Sequence, residues 1–173
     1  AADRTALGIW ALTRLSVIMV AGAVGWLFAA EGQVAPFFDR FVQWDVHHFW
    51  GIAMFGYGGQ PTGVPNEAFF PGLPALMWLG SAVSPLSPTT AGLLISLVAS
   101  AIATVALSRL ADLEYGPGTG VRAVLFWLLA PPAIFLATAY TESLFLAMAI
   151  PAWLAARRGG WPIAGALAAG PGA

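Results

Sequence analysis

Apolar residues run along this chain in unbroken blocks of membrane-spanning length, separated by short polar joints. A helix needs roughly 20 apolar residues to cross the hydrocarbon core, with a range of about 17 to 25. Residues 9–30 meet that length, and Arg14 lies near enough to one end for its charge to snorkel to the headgroups. Residues 91–110 form a second clean span. A third covers 121–139, in which Pro131-Pro132 predicts a kink or local unwinding. The block 142–156 is shorter and calls for local bilayer thinning or flanking residues to complete it, and 161–173 opens a further span.

The segment 69–85 is apolar but short, and Pro71, Gly72, Pro74 and Gly80 interrupt it. Arginine gathers in cytoplasmic loops, which tests whether this segment crosses. If it does not, Arg4, Arg14, Arg109, Arg122, Arg157 and Arg158 all fall on the cytoplasmic side, and Arg40 alone lies outside. If it does, every later loop inverts and the Arg157-Arg158 pair moves outside. The first arrangement costs less. Residues 31–88 then read as one long external loop carrying interfacial or re-entrant helices, in a multi-pass cell-membrane protein with a cytoplasmic N-terminus.

Composition agrees with this reading. The chain is 59% hydrophobic and 9% charged, where soluble domains carry about 25% charged residues. The fold class that follows is an all-α membrane protein, a multi-span helical bundle forming a single transmembrane domain over 1–173. Without cysteine there is neither a disulfide framework nor a thiolate metal site. A net charge of −1 offers no basic stripe to nucleic acid. All seven basic residues are Arg, a bias that suggests a GC-rich, bacterial genome. The first apolar stretch is too long, and lacks the small-residue pattern, for a cleavable signal peptide. The chain reads as the N-terminal portion of something longer.

Against this background, Trp44-Asp45-Val46-His47-His48-Phe49-Trp50 sets an acid and two imidazoles among large aromatics. Ionisable groups beside a membrane are costly and mark a functional site by default. A helix over Phe38–Phe55, lying along the interface, puts Asp45 and His48 (i, i+3) on one face. Phe41, Trp44, Phe49 and Ile52 would be its apolar anchors. An aromatic belt accounts for Trp44, Trp50 and Tyr57, but it leaves Asp45 unexplained. Two adjacent histidines and one Asp are a weak metal signal, and no second ligand pair has the spacing of a metal site. The glycine-rich run Phe55–Asn66 lacks the Gly-Lys-Ser/Thr of a phosphate loop and reads as a flexible loop, with Glu67 a solvated acid after it.

Tyr140-Thr141-Glu142-Ser143 stands at the next external turn. Thr141 as N-cap, with Glu142 complementing the helix dipole, accounts for this motif on structural grounds alone. The expected topology nevertheless sets Glu142 on the same face of the membrane as Asp45. Arg157-Arg158 reads as a topology determinant, and Arg109, Asp112, Glu114 and Arg122 as a solvated cytoplasmic loop.

Three blocks occur in order: Trp44-Asp45-x-x-His48-Phe49-x-x-Ile52-Ala53-x-x-Gly56-Tyr57, Ala68-Phe69-Phe70-Pro71-x-x-Pro74, and Ala139-Tyr140-x-Glu142-Ser143-Leu144-Phe145. Together they resemble the PIG-V family, of the GPI mannosyltransferase II type, over about residues 9–168. The resemblance implies a membrane glycosyltransferase of GT-C architecture with its acidic site in the first non-cytoplasmic loop. It further implies a polyprenyl-phosphate-mannose donor and an inverting transfer.

Such a transfer needs a base for the acceptor hydroxyl, and a partly buried carboxylate at the membrane surface suits the role. Asp45 is the candidate. The departing lipid phosphate needs positive charge or hydrogen-bond donors, for which His48, His47 and Arg40 lie nearby. Glu142 would orient the acceptor or bind a divalent cation, the one cofactor in view. Trp44, Tyr57 and Tyr140, all within or beside the quoted motifs, complete the expected substrate-binding set. The acceptor is not specified. A competing class is a transporter with an ion path through Asp45, His48 and Glu142. Clean spans, with acids at helix ends or in loops, argue against it. A non-catalytic membrane assembly subunit is the third class.

Overall fold

The computed structural model describes residues 2–27, 37–58 and 66–170. Residues 28–30 of the first expected span, the start of the external loop, most of the glycine-rich run and residues 171–173 of the last expected span lie outside the described residues. The described helices are α1 (Ala2–Leu27), α2 (Val46–Phe55), α3 (Gly72–Val83), α4 (Pro88–Tyr115), α5 (Thr119–Leu129), α6 (Thr141–Arg157) and α7 (Trp161–Ala169). Two 3-10 segments, Phe37–Phe41 and Pro131–Ala137, join them, and no strand occurs among the described residues. The protein is thus an all-α membrane protein. Helices α1 and α4 are each long and apolar enough to cross a bilayer, and α5 with Pro131–Ala137 makes a third crossing if the bent pair is counted as one.

Helix α4 is the spine. Its start is fixed by Ser87, whose hydroxyl accepts the Thr90 N–H at 3.2 Å, with Pro88 at the first helical position. Its buried face is almost wholly small: Ala91, Gly92, Ser96, Ala99, Ser100 and Ala103 among others. Lipid is as apolar as a leucine side chain, so helices in a bilayer associate through close packing and interhelical hydrogen bonds. Small residues allow that approach, and α1, α3, α5 and α6 all pack on α4. The Trp10 indole donates to Ser100 Oγ at 2.9 Å, fastening α1 to the spine.

Gly120 shows how close the approach is. A Cβ added there would overlap the Ser108 carbonyl oxygen, and the Gly120 N–H donates to Asp112 Oδ1 at 2.8 Å. Gly120→Ala is expected to destabilise the fold by about 1–3 kcal/mol, the usual cost of overpacking, read as a lower thermal unfolding midpoint in detergent. An unchanged midpoint would mean that α5 can move off α4 without cost.

Arg109, Asp112 and Glu114 do not lie in a solvated loop, because α4 continues through Tyr115 before Gly116, at φ 93°, ends it. Arg109 grips the Asp3 carboxylate with two bonds, of 3.1 and 2.6 Å, and Arg157 pairs with Glu114. Both pairs are solvent-exposed and contribute little stability, but they fix directions. The start of α1 and the ends of α4 and α6 meet at one end of the bundle. At the other end, Ser96 of α4 donates to the Tyr140 carbonyl at 3.3 Å, just before α6.

Two local expectations are overturned. The single helix over Phe38–Phe55 is two pieces: a 3-10 turn ends at Phe41 and α2 begins at Val46. Between them Trp44 adopts φ 47°, a left-handed conformation that a bulky residue takes only under local strain and that no α-helix can continue. Phe41, Phe49 and Ile52 are buried in protein rather than anchored in headgroups; Phe49 packs with Ala53, Leu73 and Met77. The second correction concerns Arg14. It does not snorkel: only 3% exposed, it donates from Nη1 to the Ala133 carbonyl at 2.8 Å. Ala133 lies just past Pro131-Pro132, where α5 and the 3-10 segment meet at 87°. Proline lacks the N–H a helix needs, so the chain bends there, and a buried carbonyl at the bend is a better partner for a guanidinium than distant headgroups.

Candidate active site

The turn before α2 and the start of α6 come together at the end of the bundle away from the two ion pairs. Val46, fully buried, packs with Ala139 and Tyr140, and Val42 and Phe135 close over them. The Tyr140 ring lies 5.2 Å from Phe135 and 6.3 Å from Phe49, centroid to centroid. Its hydroxyl reaches the Gln43 carbonyl at 3.5 Å, a long bond that ties the Gln43–Asp45 turn to α6. Aromatic packing and this tether fix which way the turn faces.

Asp45 occupies the N-cap position of α2 without capping it. Its backbone is already helical, at φ −64° and ψ −19°, and its carboxylate makes no cap hydrogen bond. Contrary to the expectation of partial burial, Asp45 is exposed. Thr141 is not a cap either. Tyr140 holds that position in extended backbone, at φ −112° and ψ 158°, with no side-chain cap, and Glu142 follows in the first turn, exposed. Neither acid is therefore engaged in closing a helix end.

The two carboxylates line one cleft of about 320 Å³ with Trp44, Phe135 and Tyr140. Burial raises the Tyr140 phenol above its ordinary range; the Asp45 backbone hydrogen bond opposes this, and the charges of Asp45 and Glu142 add to it. The net shift is upward, so the hydroxyl keeps its proton at neutral pH and acts as a donor. Two larger spaces adjoin the cleft. On one side an apolar groove of about 420 Å³ runs between α1 and the Pro131–Ala137 segment, sharing Trp44, Phe135 and Tyr140 with the cleft and including Arg40. On the other, a space of about 410 Å³ shares Glu142 and is walled by Phe49, Phe69, Phe70 and Phe145.

The remaining predicted residues fall elsewhere. His48 does not face Asp45's cleft: its Nδ1 pairs with Asn66 Oδ1 at 2.7 Å, and its ring stacks on Phe69 at 4.6 Å and 14°. Tyr57 donates to the Phe69 carbonyl at 2.6 Å, so Tyr57 and His48 both secure the Phe69 strip. His47 is exposed and lines none of the three spaces. Asp45 keeps helical backbone and its carbonyl accepts the Phe49 N–H, so Asp45 and His48 differ in side-chain direction: the carboxylate lines the cleft with Tyr140, and the imidazole turns to Asn66 and Phe69. Arg40 stays close to the cleft, its guanidinium lying against Gly25 of α1 and 5.9 Å from the Phe37 ring centroid.

Among the described residues no group of three or more His, Asp or Glu is placed to hold a metal ion. Asp45 and Glu142 supply two carboxylates, which matches the protein share of a Mg²⁺ site completed by substrate phosphate and water. Phe135 was not foreseen from the sequence. The signal for it was the Pro131-Pro132 break, since irregular backbone at membrane depth is tolerated where it lines a cavity or is buried in protein.

Comparison with known proteins now bears on this cleft. The family described as Mannosyltransferase (PIG-V) matches residues 25–167, which contain every residue of the cleft. A mouse (Mus musculus) protein described as GPI alpha-1,6-mannosyltransferase 2 is 35% identical over 146 residues, covering 77% of this chain and 28% of its own length. The rat (Rattus norvegicus) protein of the same description is 35% identical over 130 residues, 69% of this chain and 26% of its own. The chain thus spans about a quarter of the length of the curated relatives it matches. No solved structure matches it.

Proposed function

The chain belongs to the mannosyltransferase (PIG-V) family, and from that premise we propose that its acidic cleft is the reaction centre of a membrane glycosyltransferase. In this reading mannose passes from a polyprenyl-phosphate-mannose donor to an acceptor hydroxyl, with inversion, on the non-cytoplasmic face. One observation carries it: Asp45 and Glu142, far apart in sequence, line a single cleft that opens beside an apolar groove.

The chemistry follows from the groups present. The acceptor oxygen attacks the anomeric carbon as the Asp45 carboxylate takes its proton. The bond from that carbon to the lipid-phosphate oxygen breaks on the opposite face, and its electron pair leaves with the phosphate. Attack from behind the leaving group inverts the centre. Arg40, in the groove next to Trp44, is the side chain best placed to meet phosphate charge; His48 is committed to Asn66. Glu142 orients the acceptor beside the Tyr140 ring, and Trp44, 74% exposed at the rim, offers a face for a sugar ring.

Membranes carrying the full-length protein are expected to move radiolabelled mannose from polyprenyl-phosphate-mannose onto a lipid-soluble or protein acceptor. Label that crosses sealed vesicles without becoming covalently attached would favour a transporter. No transfer and no transport would favour an assembly subunit.

A further inference from the structure

Arg14 takes no part in the mechanism above, yet it is the one buried arginine among the described residues. It sits within the long apolar helix α1 and outside the stretch 25–167 that matches the family. A charge at such a site persists only with a partner, and the partner is specific. Nη1 donates to the carbonyl of Ala133, a residue 119 positions away, while Nε is buried with no partner. Ala133 itself lies in an apolar cluster with Ala6, Val124, Leu128 and Leu136.

What Arg14 holds is the bend. From Ala133 the 3-10 segment runs on to Phe135, which lines the cleft, and then through Thr138 to Tyr140 and Glu142. The segment meets α5 at 87°, and 3-10 geometry bonds its own backbone poorly. Its angle therefore depends on what grips it from outside. Val17, one helical turn along α1, and Ile134 line the same apolar groove, so α1 and the segment meet along a surface that Arg14 pins at one end.

We propose that Arg14 is a positioning residue: its hydrogen bond to the Ala133 carbonyl clamps the broken helix to α1 and so sets where Tyr140 and Glu142 stand relative to Asp45. The inference rests on the reading of the cleft as a mannosyl-transfer site, but the clamp itself can be read without turnover.

The test uses the full-length protein in membranes, with Arg14→Met and Arg14→Lys. Met keeps an unbranched, flexible apolar chain and removes every donor. Lys retains one charged nitrogen able to donate to the Ala133 carbonyl, and it lacks the unpartnered Nε. Spin labels replace Phe126 on α5 and Trp153 on α6, both well exposed at 77% and 61%, so that their separation reports the bend. R14M is expected to lower kcat about tenfold with KM within about twofold, as misplacement of reacting groups does, and to broaden and shift the label separation. R14K should keep both near wild type. Wild-type separation and kcat in R14M would overturn the proposal, and so would equal losses in R14K and R14M. Should R14M fail to insert, R14K decides alone. If the wild-type protein transfers no mannose, the functional reading fails, while the label separations still decide the clamp.

Discussion

Asp45→Asn in the full-length protein is expected to lower mannose transfer at least about a hundredfold, the lower bound usual for loss of a general base. Asn matches Asp in size and still accepts a hydrogen bond, but it cannot take a proton. The fall should therefore appear in kcat, with the KM values for donor and acceptor changed little. Local structure makes the result readable. Asp45 is exposed and its carboxylate caps no helix, so the variant should extract, insert and unfold like wild type. Initial rates with radiolabelled donor, set beside a thermal unfolding curve, check both halves. Near-normal turnover in a well-folded D45N protein would remove Asp45 from the base role. A parallel loss of stability would instead assign it to structure.

Glu142→Gln is the second large effect, at about thirtyfold on kcat, below a general-base loss because an orienting carboxylate moves no proton. Here a bland account competes, and magnitudes separate the two. An acid in the first turn of α6 complements the helix dipole, an interaction worth about 0.3–1 kcal/mol. If that were its whole role, E142Q would shift the unfolding midpoint slightly and leave transfer intact. If Glu142 serves the cleft, transfer falls far more than stability does. The double variant sharpens the reading. Groups acting on one reaction centre are non-additive, so adding E142Q to D45N should cost much less than it does alone.

Several features of the fold and site were legible in the sequence because they rest on local properties. Apolar length marks α1 and α4, and proline pairs mark bends. The two acids stood out because charge is rare in this chain. The segment bearing Glu142 also read correctly as a helix start, whereas Asp45 was expected inside a helix that in fact begins at Val46. What was not legible was orientation within each segment. Helical spacing paired Asp45 with His48, but Asn66 and Phe69, brought in from farther along the chain, took the imidazole, and the carboxylate went to the cleft beside Tyr140. Proximity to a span end suggested snorkelling for Arg14, but a carbonyl at the Pro131-Pro132 bend was nearer than the headgroups. The charges near Arg109 looked like a loop, whereas small residues and an uninterrupted backbone carried α4 through them.

By itself, then, the sequence determined that this chain is helical, that it lives in a bilayer, and which carboxylates are candidates for chemistry. Span length, charge scarcity and turn residues act over a few neighbours and can be read from them. Only the tertiary structure decided that Asp45 faces Tyr140 and Glu142, that Phe135 joins them, and that Arg14 turns inward. Those choices depend on how close α4's small residues let other helices come, and on which donor reaches a given carbonyl first. Both are settled by packing between residues far apart in the chain.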